Sequence, residues 1–307
     1  MKHLRRRSRA LGHSLRFDNL SVGSAEDLAD CLESYVLSSS ASAVGLGTLQ
    51  RFAEERLSAG DADITFAISR LRMRSQILGD RYPLSFDLAS IVRTNGWERF
   101  PYTAMLVMSG TSLARFTDDE RSSANPERWF EEIVSETLCN WMGPESIALR
   151  FGWPSDNGRP AEFPDAIRWL SQKMNVELGT SYRPPIRKDG GVDVVVWRPF
   201  GDYRSGFPIV LIQCTLQKDL IAKSRDIDIP NWSGWLALDR EPLTVLATPR
   251  IVSEGSDRWN QLNRQGLIFE RIRLTRNCPS PLSTPKYDKI VDYCRSTFAA
   301  ISSELDH

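Results

Sequence analysis

Histidine is scarce in this chain. The 307 residues contain three, His3, His13 and His307, all near the two ends. A histidine general base, a Ser-His-Asp or Cys-His pair and a histidine-bound zinc therefore have no candidate in the interior. Cysteine is equally uninformative: five residues, at 31, 139, 214, 278 and 294, with no C-x-x-C pair. Neither a disulfide framework nor a structural zinc site is supported. Apolar runs stay below the ~18 residues of a membrane span. The basic start, Met1 to Arg7, lacks the apolar stretch of a signal peptide, so a cytoplasmic location with no membrane partner is expected. Lysine is rare too, seven of the 39 basic side chains. The net charge of zero argues against coating nucleic acid by bulk charge, while leaving room for a local basic groove.

What is present is ordinary globular composition, 41% hydrophobic and 25% charged. At roughly 150 residues per domain the length suggests two domains. After an arginine-rich arm (1–20), Ser24 is placed to cap a helix with Glu26 and Asp27 in its first turn. Helical spacing recurs at Leu49–Leu57 and Ile64–Leu78, and shorter helices are expected at Phe86–Val92 and Tyr102–Met108. Residues 1–120 thus read as an all-α domain. A polar stretch at 118–126 marks the boundary. Beyond it, 127–307 reads as a mixed α/β domain. Helices are expected at Glu127–Met142, Phe163–Met174 and Ser256–Arg264, with strands at Val192–Trp197, Ile209–Leu216, Leu243–Thr248 and Leu267–Leu274. A last helix carries a stripe from Tyr287 to Leu305.

Chemistry concentrates in Lys188-Asp189-Gly190-Gly191-Val192-Asp193-Val194-Val195-Val196-Trp197 and in Ile209-Val210-Leu211-Ile212-Gln213-Cys214-Thr215. Asp193 is a carboxylate inside an apolar strand, where charge is seldom buried unless paired or metal-bound. Gln213 ends the next apolar run. If the two strands form a hairpin, acid and amide lie on adjacent strands and offer oxygen ligands suited to Mg²⁺.

These two segments resemble the PD-(D/E)xK restriction-endonuclease-like nucleases, especially the Mrr-like branch. In that pattern an acidic helix opens with Phe-Glu, D-G-G-x-D follows, and Q-x-K lies on the next strand. Here Phe130-Glu131, Asp189 to Asp193 and Gln213 match, over about residues 127–277. The resemblance implies a mixed sheet flanked by helices and a Mg²⁺ (or Mn²⁺) ion held by Asp193, Gln213 and Glu131. It also implies a lysine that orients the attacking water, DNA as substrate, and a role in bacterial restriction or anti-phage defence, with a partner protein or homo-oligomer compatible. At about 100° per residue, Phe130, Ile133, Val134, Leu138 and Trp141 share a face of the helix. Glu131 falls at the edge of that face, and Glu132 and Glu136 fall on the solvent side.

One departure is plain. Thr215 stands where the pattern has lysine, and threonine supplies no positive charge. Lys218 and Lys223 follow closely, and Lys223, on a helix expected from about Gln217, is the favoured replacement. The rival reading is a nuclease-like module that binds nucleic acid or a partner protein without cutting; a purely structural protein leaves Asp193 unexplained. Asp189 fits either turn chemistry or a second metal. Asp202-Tyr203-Arg204 belongs to the hairpin tip, Trp232 and Trp235 read as core, and Arg5 to Arg9 read as a basic tail.

Overall fold

The computed structural model describes residues 22–114, 124–155, 157–279 and 281–305. The Arg5–Arg9 run, all three histidines and most of the expected boundary at 118–126 lie outside them. Ser24 caps helix α1 (Ala25–Ser38), its hydroxyl accepting from the Asp27 amide. β1 (Ala43–Gly45), α2 (Leu46–Leu57), α3 (Asp61–Leu78), β2 (Leu84–Phe86), β3 (Ser90–Arg93) and α4 (Pro101–Ser109) follow.

The first half is therefore not all-α. β1, β3 and β2 form an antiparallel three-stranded sheet, and the helix expected at Phe86–Val92 is its β2–β3 turn. The apparent helical stripe there was illusory: Leu88 is fully exposed while Ile91 is buried. Asp87 makes the turn, its carboxylate accepting from the Leu88 amide and its own amide donating to the Ser90 carbonyl. The β-branched pair Ile91-Val92 then favours a strand.

The second sheet positions the site. It is formed by β4 (Ile147–Arg150), β5 (Val194–Trp197), β6 (Ile209–Cys214), β7 (Leu243–Ala247) and β8 (Leu267–Phe269), in that spatial order. β4, β5 and β6 run antiparallel, β7 and β8 parallel to β6. The strands alternate between two cores. Val194, Val196, Val210 and Ile212 face α5 (Pro126–Met142) through Phe130, Ile133, Val134 and Leu138. Val195, Trp197, Ile209 and Leu211 face α6 (Phe163–Met174) and α8 (Ile229–Trp235). Trp232 and Trp235 lie in this second core, as expected. Trp141, expected in the buried face of α5, is partly exposed against Phe269. A one-turn helix α7 (Leu220–Lys223) precedes α8, and α9 (Asp257–Asn263) joins β7 to β8.

The strand expected to reach Leu274 stops at Phe269. The Glu270 carboxylate accepts from the amides of Ile272 and Arg273 and starts α10 (Arg271–Asn277). The final helix, α11 (Asp288–Leu305), packs against α1 and α4 in the first half of the chain. One continuous apolar core includes residues from Leu28 to Ile301. A buried charge network also joins the halves. Asp30 of α1 accepts from Arg74 at 2.8 Å and from Arg271 of α10 at 3.0 and 2.6 Å. Glu33 accepts from the Tyr102 hydroxyl at 2.7 Å and from that of Tyr82. No helix among the described residues is long and apolar enough to cross a membrane.

Candidate active site

Asp193 directly precedes β5, and its amide extends the ladder by donating to the Ile212 carbonyl. The preceding Asp-Gly-Gly is a built turn. The Asp189 carboxylate accepts from the Gly191 amide at 2.8 Å. Gly191 has φ +79°, and a Cβ there would stand 2.0 Å from the Asp226 carbonyl oxygen. Only glycine lets the chain at Asp226 pass this closely. The turn thus brings Asp226 beside the end of β5.

Asp193 and Gln213 meet as the hairpin predicts. Gln213 Nε2 donates to Asp193 Oδ2 at 2.6 Å, and the Cys214 amide donates to the same oxygen at 2.7 Å. Glu131 reaches the same place from α5. A Cβ built on Gly152, just beyond β4, would stand 3.2 Å from Asp193 Oδ1 and 3.3 Å from Glu131 Oε2. The two carboxylates converge over a residue without a side chain. Burial, then the charge of Glu131, pushes the Asp193 carboxyl well above its usual range. Burial and the same two acids also raise the Cys214 thiol. Arg150 offsets part of the charge through its 2.8 Å ion pair with Glu131.

A cavity of about 260 Å³ collects Glu131, Asp189, Asp193, Gln213, Thr215 and Lys223 along its lining. Lys223 ends α7, which begins at Leu220 and not near Gln217, because the Asp219 carboxylate caps it there. Its ammonium pairs with Asp226 at 3.3 Å, and its charge acts on Asp193. Lys218 lines a different cavity. Thr215 is buried, and its hydroxyl accepts from the Gln217 amide. Glu132 pairs with Arg128, and Glu136 with Lys286 and the Tyr287 hydroxyl, both away from the cavity. Tyr203, at the hairpin tip, is fully exposed.

Arg150, Gly152 and Asp226 have no signal in the sequence. β4 is a four-residue edge strand with weak alternation, and Asp226 sits in an irregular segment.

Among the described residues, no group of three His, Cys, Asp or Glu side chains is arranged to hold a metal. Mg²⁺ asks for less, often one or two carboxylates with water completing the shell. A buried and a part-buried carboxylate around a gap that a methyl group would fill suit a small hard cation. With its Nε2 committed to Asp193, Gln213 has its Oε1 as the remaining side-chain oxygen. Gly152→Ala tests this gap. The φ of Gly152 is outside the left-handed region, so folding should change by only about 1 kcal/mol. Mn²⁺ affinity, measured by titration calorimetry, is expected to fall about 10- to 100-fold; wild-type affinity would remove the gap from the metal site.

Comparisons with family models, with curated proteins and with solved structures gave no match.

Proposed function

We propose that this chain is a Mg²⁺- or Mn²⁺-dependent DNA endonuclease of the restriction-endonuclease-like type, serving bacterial restriction or anti-phage defence. The observation that carries the reading is the convergence of Glu131, Asp193, Gln213 and Lys223, from four separate segments, on one cavity. The order also agrees with the resemblance: acid-bearing helix, D-G-G-x-D, then glutamine on the following strand of a mixed sheet.

Asp193, Glu131 and the Gln213 oxygen would hold the ion. When bound, it supplies Lewis-acid stabilisation of phosphate charge and a lowered pKa for a bound water. The protein's own groups do the rest. Gln213 and the Cys214 amide fix the Asp193 carboxylate, and Lys223, steadied by Asp226, orients the attacking water and offsets charge on the phosphate. Arg187 on the cavity wall offers a phosphate contact.

The test is nicking of supercoiled plasmid with Mg²⁺ or Mn²⁺ and protection by EDTA. Undiminished cutting in excess chelator would overturn the reading. Lys223→Ala is expected to slow cleavage about 100-fold while DNA binding persists. Equal rates for this variant and the wild type would remove the lysine from the mechanism.

Two observations favour the second reading, a module that binds without cutting: Thr215 occupies the lysine position, and Arg150 already pairs with Glu131. An inert parent under every metal, with Thr215→Lys restoring cleavage, would establish it.

A further inference from the structure

The segment after β6 separates two cavities. Gln217 and Lys223 line the one described above, and Lys218 lines a second, of about 390 Å³. This volume falls in the range of small-molecule sites. One wall is α1, with Glu26, Asp27 and Asp30. The other is built from the segments following two parallel strands, with Lys218 after β6 and Arg250 and Arg258 after β7.

The charges of the two walls do not cancel. Glu26 and Asp30 are already answered by Arg74, and Asp30 also by Arg271, neither of which lines the cavity. Asp27 is then the one lining acid without an ion pair among the described residues, against three cations. Arg250 is the clearest case. It is half-buried, its Nε is enclosed with no hydrogen-bond partner, and the charges of Asp27 and Asp30 act on it without forming a direct ion pair among the described residues. Arg258 is oriented by donating Nη2 to the Lys218 carbonyl, which sets its guanidinium beside Lys218. A partly enclosed guanidinium without a direct ion-pair partner is costly, and its fork of N–H donors matches phosphate.

From this arrangement we infer that the cavity binds a small phosphorylated molecule of the nucleoside-phosphate class. The phosphate meets Arg250, Arg258 and Lys218. Hydroxyl or amino groups of the same molecule donate to the carboxylate of Asp27. A nucleic-acid strand fits less well, because its continuous negative backbone would run against the acids of α1. This site does not depend on cleavage at the neighbouring one.

The full-length protein is titrated calorimetrically with AMP and with inorganic phosphate. AMP is expected to bind one to one, with a Kd of about 1 mM or tighter, and phosphate alone more weakly. Arg250→Gln with Arg258→Gln should weaken AMP binding at least about tenfold with an unchanged circular dichroism spectrum. If the pair fails to fold, Arg258→Gln alone, at an exposed position, should weaken it in the same direction. Asp193→Asn should bind AMP as the wild type does. The inference is overturned by absence of saturable AMP binding, or by full affinity in the arginine variants. It is also overturned by loss of AMP binding in Asp193→Asn, or by displacement of AMP by a single-stranded oligonucleotide.

Discussion

Asp193→Asn is expected to abolish metal-dependent cleavage and leave the protein folded. The substitution preserves volume and keeps a carbonyl oxygen that can accept from the Cys214 amide, now 2.7 Å from Oδ2. What it removes is charge. Lewis-acid stabilisation at such a centre is worth several kcal/mol, so the loss should be about 100- to 1,000-fold in rate. Asparagine is the better probe than alanine, which would leave the Cys214 and Gln213 donors facing nothing, at about 1–3 kcal/mol for a buried group. A second readout separates metal binding from packing. Mn²⁺ should raise the melting temperature of the wild type and not that of the variant, since a ligand stabilises only the state that binds it. Cleavage at the wild-type rate by Asp193→Asn would sink the assignment. Unfolding of the variant would make Asp193 a structural residue and the site misplaced.

Asp193 and Gln213 were legible because each is polar where the pattern demands apolar, and two such exceptions on paired strands must meet. Glu131 was singled out by the resemblance, and helical geometry agreed by placing it at the edge of the buried face of α5. The rest of the site was not, because its residues obey no local rule. Gly152 matters only because two carboxylates from elsewhere converge over it. Arg150 is one of many arginines until α5 is laid beside β4. The helical spacing of Phe86 to Val92 misled, since spacing alone does not say which residues are buried. The acids of α1 do lie in its first turn, but their pairing was hidden. Glu26 and Asp27 read as first-turn acids favoured by the helix dipole, yet Glu26 is 7% exposed and paired with Arg74. Its partner is 48 positions away, and Asp30 and Arg271 are 241 apart. Sequence distance of that order hides a charge pair completely.

The buried pair carries the largest expected effect on stability. Asp30 is 2% exposed, and Asp30→Ala would leave Arg74 and Arg271, both fully buried, short of an acceptor. Breaking a buried ion pair from one side costs about 3–5 kcal/mol, and at roughly 2–4 °C per kcal/mol the melting temperature should fall by about 10 °C. Arg271→Met added to Asp30→Ala should recover part of the loss, because the second change removes a stranded charge. The pH dependence has a definite sign. Burial pushes the Asp30 carboxyl up, but the Arg271 and Arg74 guanidinium groups outweigh it and hold it below the ordinary 3.8. The unfolded chain therefore takes up this proton first as pH falls. The stabilisation is complete above the ordinary carboxylate range and is lost as pH falls through the lowered value. The gap between wild type and Asp30→Ala should be constant from about pH 7 to 5 and narrow below about 4. A gap that widens in acid, or no gap at pH 7, would refute the pairing. The shape of the transition carries a further consequence. Asp30 belongs to α1 and Arg271 to α10, in opposite halves of the chain, and the core between them is continuous. If the halves unfold as one unit, the variant shows a single transition moved down as a whole. Two transitions, with only the first displaced, would mean that the residues before 120 fold independently of the sheet that carries Asp193.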